Sequence, residues 1–417
     1  MAPPRIERLL TAIDVGSSKV AVLIAGQTAD GTLHALGFGL RESLGVKRGY
    51  VVDIPQVDRS VRDALELAER MAGLEVQQAW VSFGGASLSS RLVDHDDIFS
   101  RGQIEPDDVD ELHARAQASH IFEDRATLHA QPTYYVLDGA AGVANPIGLF
   151  ADRFGVVVHI IEAERGPVSN LVTAVRAAHV DIREVVASMM AAGLSTLTQE
   201  QRELGVALVD IGASLTNIGL FAGGMLVGIA TISSGGNDIT DDIASSFGTR
   251  RSHAERLKCF YGSAISSPRD HQDQLDLVAN SPDDSEERPK ITRAQLNAVI
   301  RARLDHFVPE IGRVLGQMGA KGPANRQVVL TGGGAELKGM ADYVQGVLGG
   351  TTRVARPGGI TSLPEQAAQP AFAVAVGLIH YAANPPADIR PRSGARRIVD
   401  NSQPWWRRLL AMWSREK

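Results

Sequence analysis

Apolar and polar positions along the chain alternate between two periods. Residues 10–24 give two apolar runs around Gly16-Ser17-Ser18, which predicts strand, tight turn, strand. In 57–71, Val61, Leu65 and Ala68 share one helical face. Residues 79–83 predict a short strand running into Gly84-Gly85. Residues 106–118 predict a helix with Pro106 in its first turn and Asp107 and Asp108 at its positive end. Strands are expected at 133–137 and 154–161, a helix at 168–178 and a buried apolar stretch at 185–194. The opening pattern then returns: Ile13-Asp14-Val15-Gly16-Ser17-Ser18 matches Val209-Asp210-Ile211-Gly212-Ala213-Ser214. A repeat at that distance predicts two similar domains facing each other.

Beyond the repeat, Gly235-Gly236 opens a helix through Phe247, and 254–261 is helical. Residues 267–290 are acidic and aperiodic and predict a mobile loop. Residues 294–318 carry a long helical pattern broken at Pro309. Residues 327–334 run from a strand into Gly332-Gly333-Gly334, and 372–382 predict a small-residue helix.

Composition narrows the class. A chain of 417 residues with 42 glycines and 19 prolines suits a two-domain α/β protein with many tight strand-to-helix turns. One cysteine, Cys259, excludes an intrachain disulfide framework. No secretory signal and no stretch long enough to span a bilayer is visible, which points to the cytoplasm. Net charge is -6, yet residues 388–417 carry eight Lys/Arg and three Asp/Glu, so the body is near -11. An acidic body argues against nucleic-acid binding, and the basic tail has a separate role.

The two Asp-x-Gly turns suggest a chemistry. Successive amides in such a turn form a nest for phosphate oxygens, and the hydroxyls of Ser17, Ser18, Ser214 and Thr216 can donate to the same oxygens. A carboxylate beside a bare phosphate is unfavourable; Asp14 and Asp210 make sense if they hold Mg²⁺ or its water shell. Lys19 adds positive charge or is a surface residue. Gly332, Gly333 and Gly334, and on the other side Gly235 and Gly236, let a ring or sugar lie against the backbone. Either turn alone is most often a plain β-turn; the joint order is what carries the reading.

On these residues the chain resembles the actin, sugar-kinase and Hsp-type ATPase superfamily. Within it the chain resembles the FtsA family of bacterial cell-division proteins over nearly its whole length. The match rests on Ala12 to Lys19, Gly205 to Phe221, Gly235 to Ile243, Ala254 to Lys258, Val329 to Gly334 and Ala373 to Leu378. The resemblance implies an actin-like two-domain α/β fold with duplicated cores and ATP with Mg²⁺ between them. It implies a first core of 1–85, continued in 163–199 and 366–383, and an inserted small α/β subdomain at 86–162. The second core is then 200–240 and 325–365, with an outer subdomain at 241–324, a linker at 384–404 and a terminal helix at 405–417. By resemblance, Glu255 and Lys258 approach base and ribose beside Asn237, and the helices at 168–178 and 372–382 cross as the hinge.

The second turn reads Gly212-Ala213-Ser214-Leu215-Thr216, where the family more often has Gly-Gly-Gly-Thr-Thr; Ala213 and Leu215 stiffen it. No water-positioning base is evident, so slow or absent ATP turnover is expected. The alternatives on this fold are a sugar or acetate-type kinase and a pilus or plasmid-segregation relative.

On a helical wheel, Trp405, Trp406, Leu409, Leu410, Met412 and Trp413 fall within an arc of about 160°. Arg407, Arg408 and Arg415 occupy the other side. Tryptophan favours the headgroup boundary and arginine reaches toward anionic phosphates, so the tail is expected to bind lipid headgroups reversibly. The resemblance places the chain as a peripheral protein on the cytoplasmic face of the inner membrane, at the septum. It further implies self-assembly into filaments, an insert that serves later division proteins, and a surface on 294–318 for the C-terminal tail of FtsZ, where Arg301, Arg303 and Arg313 can meet an acidic peptide.

Overall fold

The structure is a computed structural model that describes residues 5–119, 125–278, 289–320 and 327–390. The expected hairpin forms from Ile6–Val15 and Lys19–Thr28, with Val15 opposite Val20. Leu33–Glu42 extends it on one side, and Gln78–Phe83 and Asp181–Ala187 join in parallel on the other. The helix Ile54–Ala72 covers this sheet. Asp53 caps it by accepting from the Gln56 amide, Gly73 ends it in the left-handed region, and Val57, Val61, Ala64, Leu65 and Ala68 face inward.

The second lobe repeats the plan. Its sheet runs Met225–Ile232, Thr216–Ala222, Val206–Ile211, Gln327–Thr331, Thr351–Val354. Its central hairpin turns as the first does: Gly212 N donates to Leu215 O at 2.9 Å, as Gly16 N does to Lys19 O at 2.9 Å.

The insert is a four-stranded antiparallel sheet, ordered Ser89–Gln103, Phe150–Glu164, Arg125–Leu137, Ala140–Val143, with the helix Pro106–Ser119 on one face. Val156, Val158 and Ile160 join that helix in a core of their own, while Ile161 and Ala163, on the opposite face, belong to the main core. The insert also touches the second lobe, where Ile229 N donates to Ser90 Oγ at 2.9 Å.

Four expectations change. The small-residue helix, Ala373–Ala383, crosses Ser188–Thr196 rather than Arg165–Ala177; a Cβ on Gly377 would lie 1.8 Å from Ala191 O, so glycine is what permits the approach. The stretch 185–194 therefore holds the end of a strand and most of a crossing helix, apolar on both sides of Ser188, so periodicity does not separate them. The helix Arg293–Gln317 runs through Pro309, which sits on an exposed face where water can satisfy the freed carbonyl. Within 267–290, Ser267 caps a turn at Pro268–His271 and Gln274–Asp276 pairs with Lys290–Thr292, while 279–288 lie outside the described residues. Within 384–390, the expected start of the linker, residues 388–390 pack on the insert, with Ile389 N donating to Ala130 O at 2.9 Å. The remainder of the linker and the helix expected at 405–417, with Trp405, Trp406, Arg407, Arg408, Leu409, Leu410, Met412, Trp413 and Arg415, lie outside the described residues.

Candidate functional site

The two hairpin turns face each other across a cavity of about 530 Å³. Asp14, Gly16, Ser17, Ser18 and Lys19 line it from the first lobe, and Asp210, Gly212, Ala213 and Ser214 from the second. Among the described residues, no backbone carbonyl takes the amides of Ser17, Ser18, Ala213 or Ser214. Ser17 Oγ accepts from Gly49 N at 3.0 Å, which leaves its own proton to donate.

Three charges meet in this cleft. Burial raises the Asp14 carboxyl above its usual range, opposed by a 2.5 Å hydrogen bond from Ser82 Oγ and by Lys19. Asp210 is pushed up to about 6 by burial and then by the charge of Asp14, with Lys19 pulling the other way. Burial lowers the Lys19 ammonium, while Asp14, Asp210 and Glu336 favour its charge. Lys19 Nζ also lies 4.8 Å from the centre of the Phe372 ring. Two half-buried carboxylates beside one lysine form a site short of positive charge, which is the donor set a divalent cation with bound phosphates would complete.

Gly332, Gly333 and Gly334 line the same cavity. Gly332 has φ +83, and a Cβ there would lie 2.3 Å from Asp210 Oδ1. Glycine is needed at that position both for its conformation and for the aspartate's path. On the far side, Gly236, Asn237, Glu255 and Lys258 line the cavity. Lys258 Nζ donates to Gly236 O at 2.9 Å, Thr240 Oγ1 at 2.8 Å and Glu255 Oε2 at 2.8 Å. Burial opposes ionisation of Glu255, but Lys258 and Thr240 outweigh it and hold the carboxyl below its usual range.

Two expected residues stand back from the cavity. Thr216 is fully buried and its hydroxyl donates to Ser234 O at 2.8 Å. Gly235 packs under the second turn, where a Cβ would lie 2.6 Å from Gly212 O. The next two amides brace that turn, Gly236 N to Gly212 O at 2.9 Å and Asn237 N to Ala213 O at 2.7 Å. Gly235 thus shapes the loop, while Gly236 both braces the turn and lines the cavity.

Several lining residues escaped the sequence reading. Ser82, Ser188, Asn217 and Glu336 all line the cavity. Ser188 starts the crossing helix, and its buried Oγ has no hydrogen-bond partner among the described residues. Asn217 is held by Thr231 Oγ1 at 2.8 Å. Burial raises Glu336, against Lys19 and Arg356. Asn217 lies inside the recognised stretch Gly205 to Phe221 and Glu336 two residues after Gly334, whereas Ser82 and Ser188 belong to neither Asp-Gly turn nor to the glycine run.

The three arginines expected to meet an acidic peptide differ. Arg303 forks onto Asp242, with Nε to Oδ2 at 2.5 Å and Nη2 to Oδ1 at 2.6 Å, so its charge is already matched. Arg313 meets Gln317 and Glu310. Arg301 donates to Ser266 Oγ at 2.8 Å, close in sequence to exposed Ile265, Phe260 and Tyr261.

Two lobes with matching Asp-Gly hairpins around one cleft define an actin-like ATPase fold, and solved structures agree. The chain superposes on a structure of the PilM-PilN type IV pilus biogenesis complex with a TM-score of 0.64, at 18% identity over 92% of this chain and 100% of that one. MreB5 of Spiroplasma citri bound to ADP gives 0.54, at 12% identity over 90% and 96%. Sequence comparison is narrower. Residues 207–377 match the model of the cell division protein FtsA family, and 85–162 match the SHS2 domain inserted in FtsA. The cell division protein FtsA of Rhizobium meliloti is 33% identical over 91% of this chain and 88% of its own length. That of Escherichia coli K12 is 29% identical over 98% of each. The chain belongs to the FtsA family: it is a bacterial cell-division protein of the actin ATPase superfamily. Among the described residues, no helix is long and apolar enough to cross a membrane.

Proposed function

We propose that this chain binds ATP with Mg²⁺ in the cleft, assembles into actin-like filaments, and tethers FtsZ filaments to the inner membrane at the division septum. The convergence of both Asp-Gly turns and Gly332–Gly334 on one cavity carries the nucleotide part. Ser17, Ser18, Ala213 and Ser214 supply amides and hydroxyls to the phosphates, with Lys19 beside them; Asp14 and Asp210 hold the metal through water. Glu255, Lys258 and Asn237 sit where ribose and base would rest. The metal supplies phosphate charge neutralisation when bound. Ala213 and Leu215 stiffen the second turn, which favours slow turnover or none.

The tryptophan- and arginine-rich segment 405–417 supports reversible attachment to headgroups. Six apolar side chains at about 2 kcal/mol each, less the cost of ordering a helix, give weak single-tail binding. An array of tails on one filament binds durably. In the domain scheme proposed here, the insert at 86–162 serves filament contacts and later division proteins. The outer subdomain at 241–324 receives the FtsZ tail, and Arg301, bonded to Ser266 next to exposed Ile265, is its best-placed cation, with Arg303 bracing the helix.

Equilibrium titration with Mg-ATP tests the site. The Asp14→Ala, Asp210→Ala double variant should lose binding at least about tenfold, and unaltered affinity in that folded variant removes the cleft from consideration.

A further inference from the structure

We infer that residues 388–390 form a strap that fastens the insert to the main body and moves the departure point of the C-terminal region from the last helix onto the insert.

The strap begins where Ala373–Ala383 ends. Pro385 and Pro386 stiffen the next step, and Asp388, Ile389 and Arg390 then reach the free edge of Arg125–Leu137. Ala140–Val143 pairs with Tyr135, Val136 and Leu137 of that strand, so among the described residues no other strand covers the edge around Ala130. There Ile389 N donates to Ala130 O at 2.9 Å, and Ala130 N to Asp388 Oδ1 at 3.3 Å. Gln117 Nε2 on the insert's helix donates to Ile389 O at 2.5 Å, and the Ile389 side chain packs on the insert's core.

The same residues grip the body. Arg390 bonds Glu184, at the edge of the first lobe's sheet, and its Nε lies 2.9 Å from both Asp388 oxygens. Tyr381 Oη donates to Glu184 Oε1 at 2.9 Å. His129 is fully buried between the two parts; Ala187 N donates to its Nε2 at 3.0 Å, and its Nδ1 meets Asp388 Oδ2 at 3.3 Å. Its remaining proton therefore sits on Nδ1 and points at Asp388. His129, Glu184 and Asp388 bring ligand atoms within 4.8 Å of one another, a spacing a cation can use. Arg390 already supplies that positive charge, which reads the cluster as a clamp.

Elsewhere the seam is less firmly tied. His159, on the same strand face as Ile161, is fully buried, and both its ring nitrogens lack hydrogen-bond partners among the described residues. Residues 388–390 thus make the ordered polar connection between tail, insert and body, and a rotation of the insert must drag the start of the tail with it.

The test uses the full chain carrying Cys259→Ser, with spin labels at Ala144→Cys on the insert and Glu66→Cys on the exposed face of Ile54–Ala72, together with amide hydrogen exchange. The parent should give one narrow label distance and a protected Ile389 amide. Asp388→Asn with Arg390→Gln should broaden or shift the distance. The same pair should speed Ile389 exchange about tenfold to a hundredfold, the factor expected for a lost charge-assisted hydrogen bond, with Mg-ATP affinity unchanged. If the double variant does not fold, Arg390→Gln alone gives the same comparison. An unprotected Ile389 amide in the parent, or an unchanged distance and exchange rate in the variant, overturns the strap.

Discussion

Replacing Asp210 with asparagine should stabilise the nucleotide-free chain while removing its response to Mg-ATP. The Asp210 carboxyl is raised from 3.8 to about 6, first by burial and then by Asp14. A raised acid costs the folded state whenever it is ionised. That cost is absent below pH 3.8 and grows as pH rises to about 6, above which it is complete. At about 1.4 kcal/mol per pH unit the full cost is about 3 kcal/mol. The carboxylate faces a water-accessible cleft, so about 1–3 kcal/mol is the working range. Asparagine keeps the shape beside Gly332 and cannot ionise. Urea midpoints measured near pH 8 should therefore rise in Asp210→Asn without nucleotide, and the two proteins should converge near pH 4. Saturating Mg-ATP at a hundredfold excess over Kd should add about 2.7 kcal/mol to the parent and far less to the variant. Equal stabilities near pH 8 without nucleotide, or an equal gain with it, would refute this electrostatic account.

Further outcomes follow from single positions. Gly332→Ala forces an L-residue into φ +83 and a Cβ to 2.3 Å from Asp210 Oδ1, so it should cost more than about 2 kcal/mol in chemical denaturation; a neutral result means the turn relaxes freely. Lys258→Ala removes the ammonium joining Gly236 O, Thr240 and Glu255, and should weaken fluorescent ADP binding about tenfold, whereas unchanged affinity separates this cluster from the nucleotide. Multiple-turnover assays should give ATP hydrolysis well below the roughly 1–100 s⁻¹ of kinases, and a kinase-like rate contradicts the stiffened second turn. Trp406→Glu should move the chain from the membrane pellet to the soluble fraction; unaltered sedimentation rejects the tail as anchor.

What the sequence disclosed was local. Asp14-Val15-Gly16 and Asp210-Ile211-Gly212 announce their hairpins because strand, turn and glycine are contiguous, and the glycine run at 332–334 sits directly after its strand. The cavity floor was not readable in this way. Ser82 is the penultimate residue of one strand and Ser188 begins a helix after another, and nothing in their neighbourhoods marks a serine that faces a cleft. The crossing pair is not legible because 185–194 is apolar apart from Ser188 and shows no helical period, and the Gly377 contact with Ala191 shows which helices meet. Arg303 looked like a free cation on a helix, yet Asp242, 61 residues earlier, takes its guanidinium. The strap depends on His129 and Asp388, 259 residues apart, and no spacing rule connects them.

Adapter function is tested most directly by sedimenting purified FtsZ filaments with anionic lipid vesicles in the presence of Mg-ATP and this chain. The full chain should carry FtsZ into the vesicle pellet, and the chain ending at residue 404 should leave it in solution. If the shortened chain delivers as much FtsZ to the vesicles, the account of a nucleotide-bound adaptor held to lipid by its last residues is wrong.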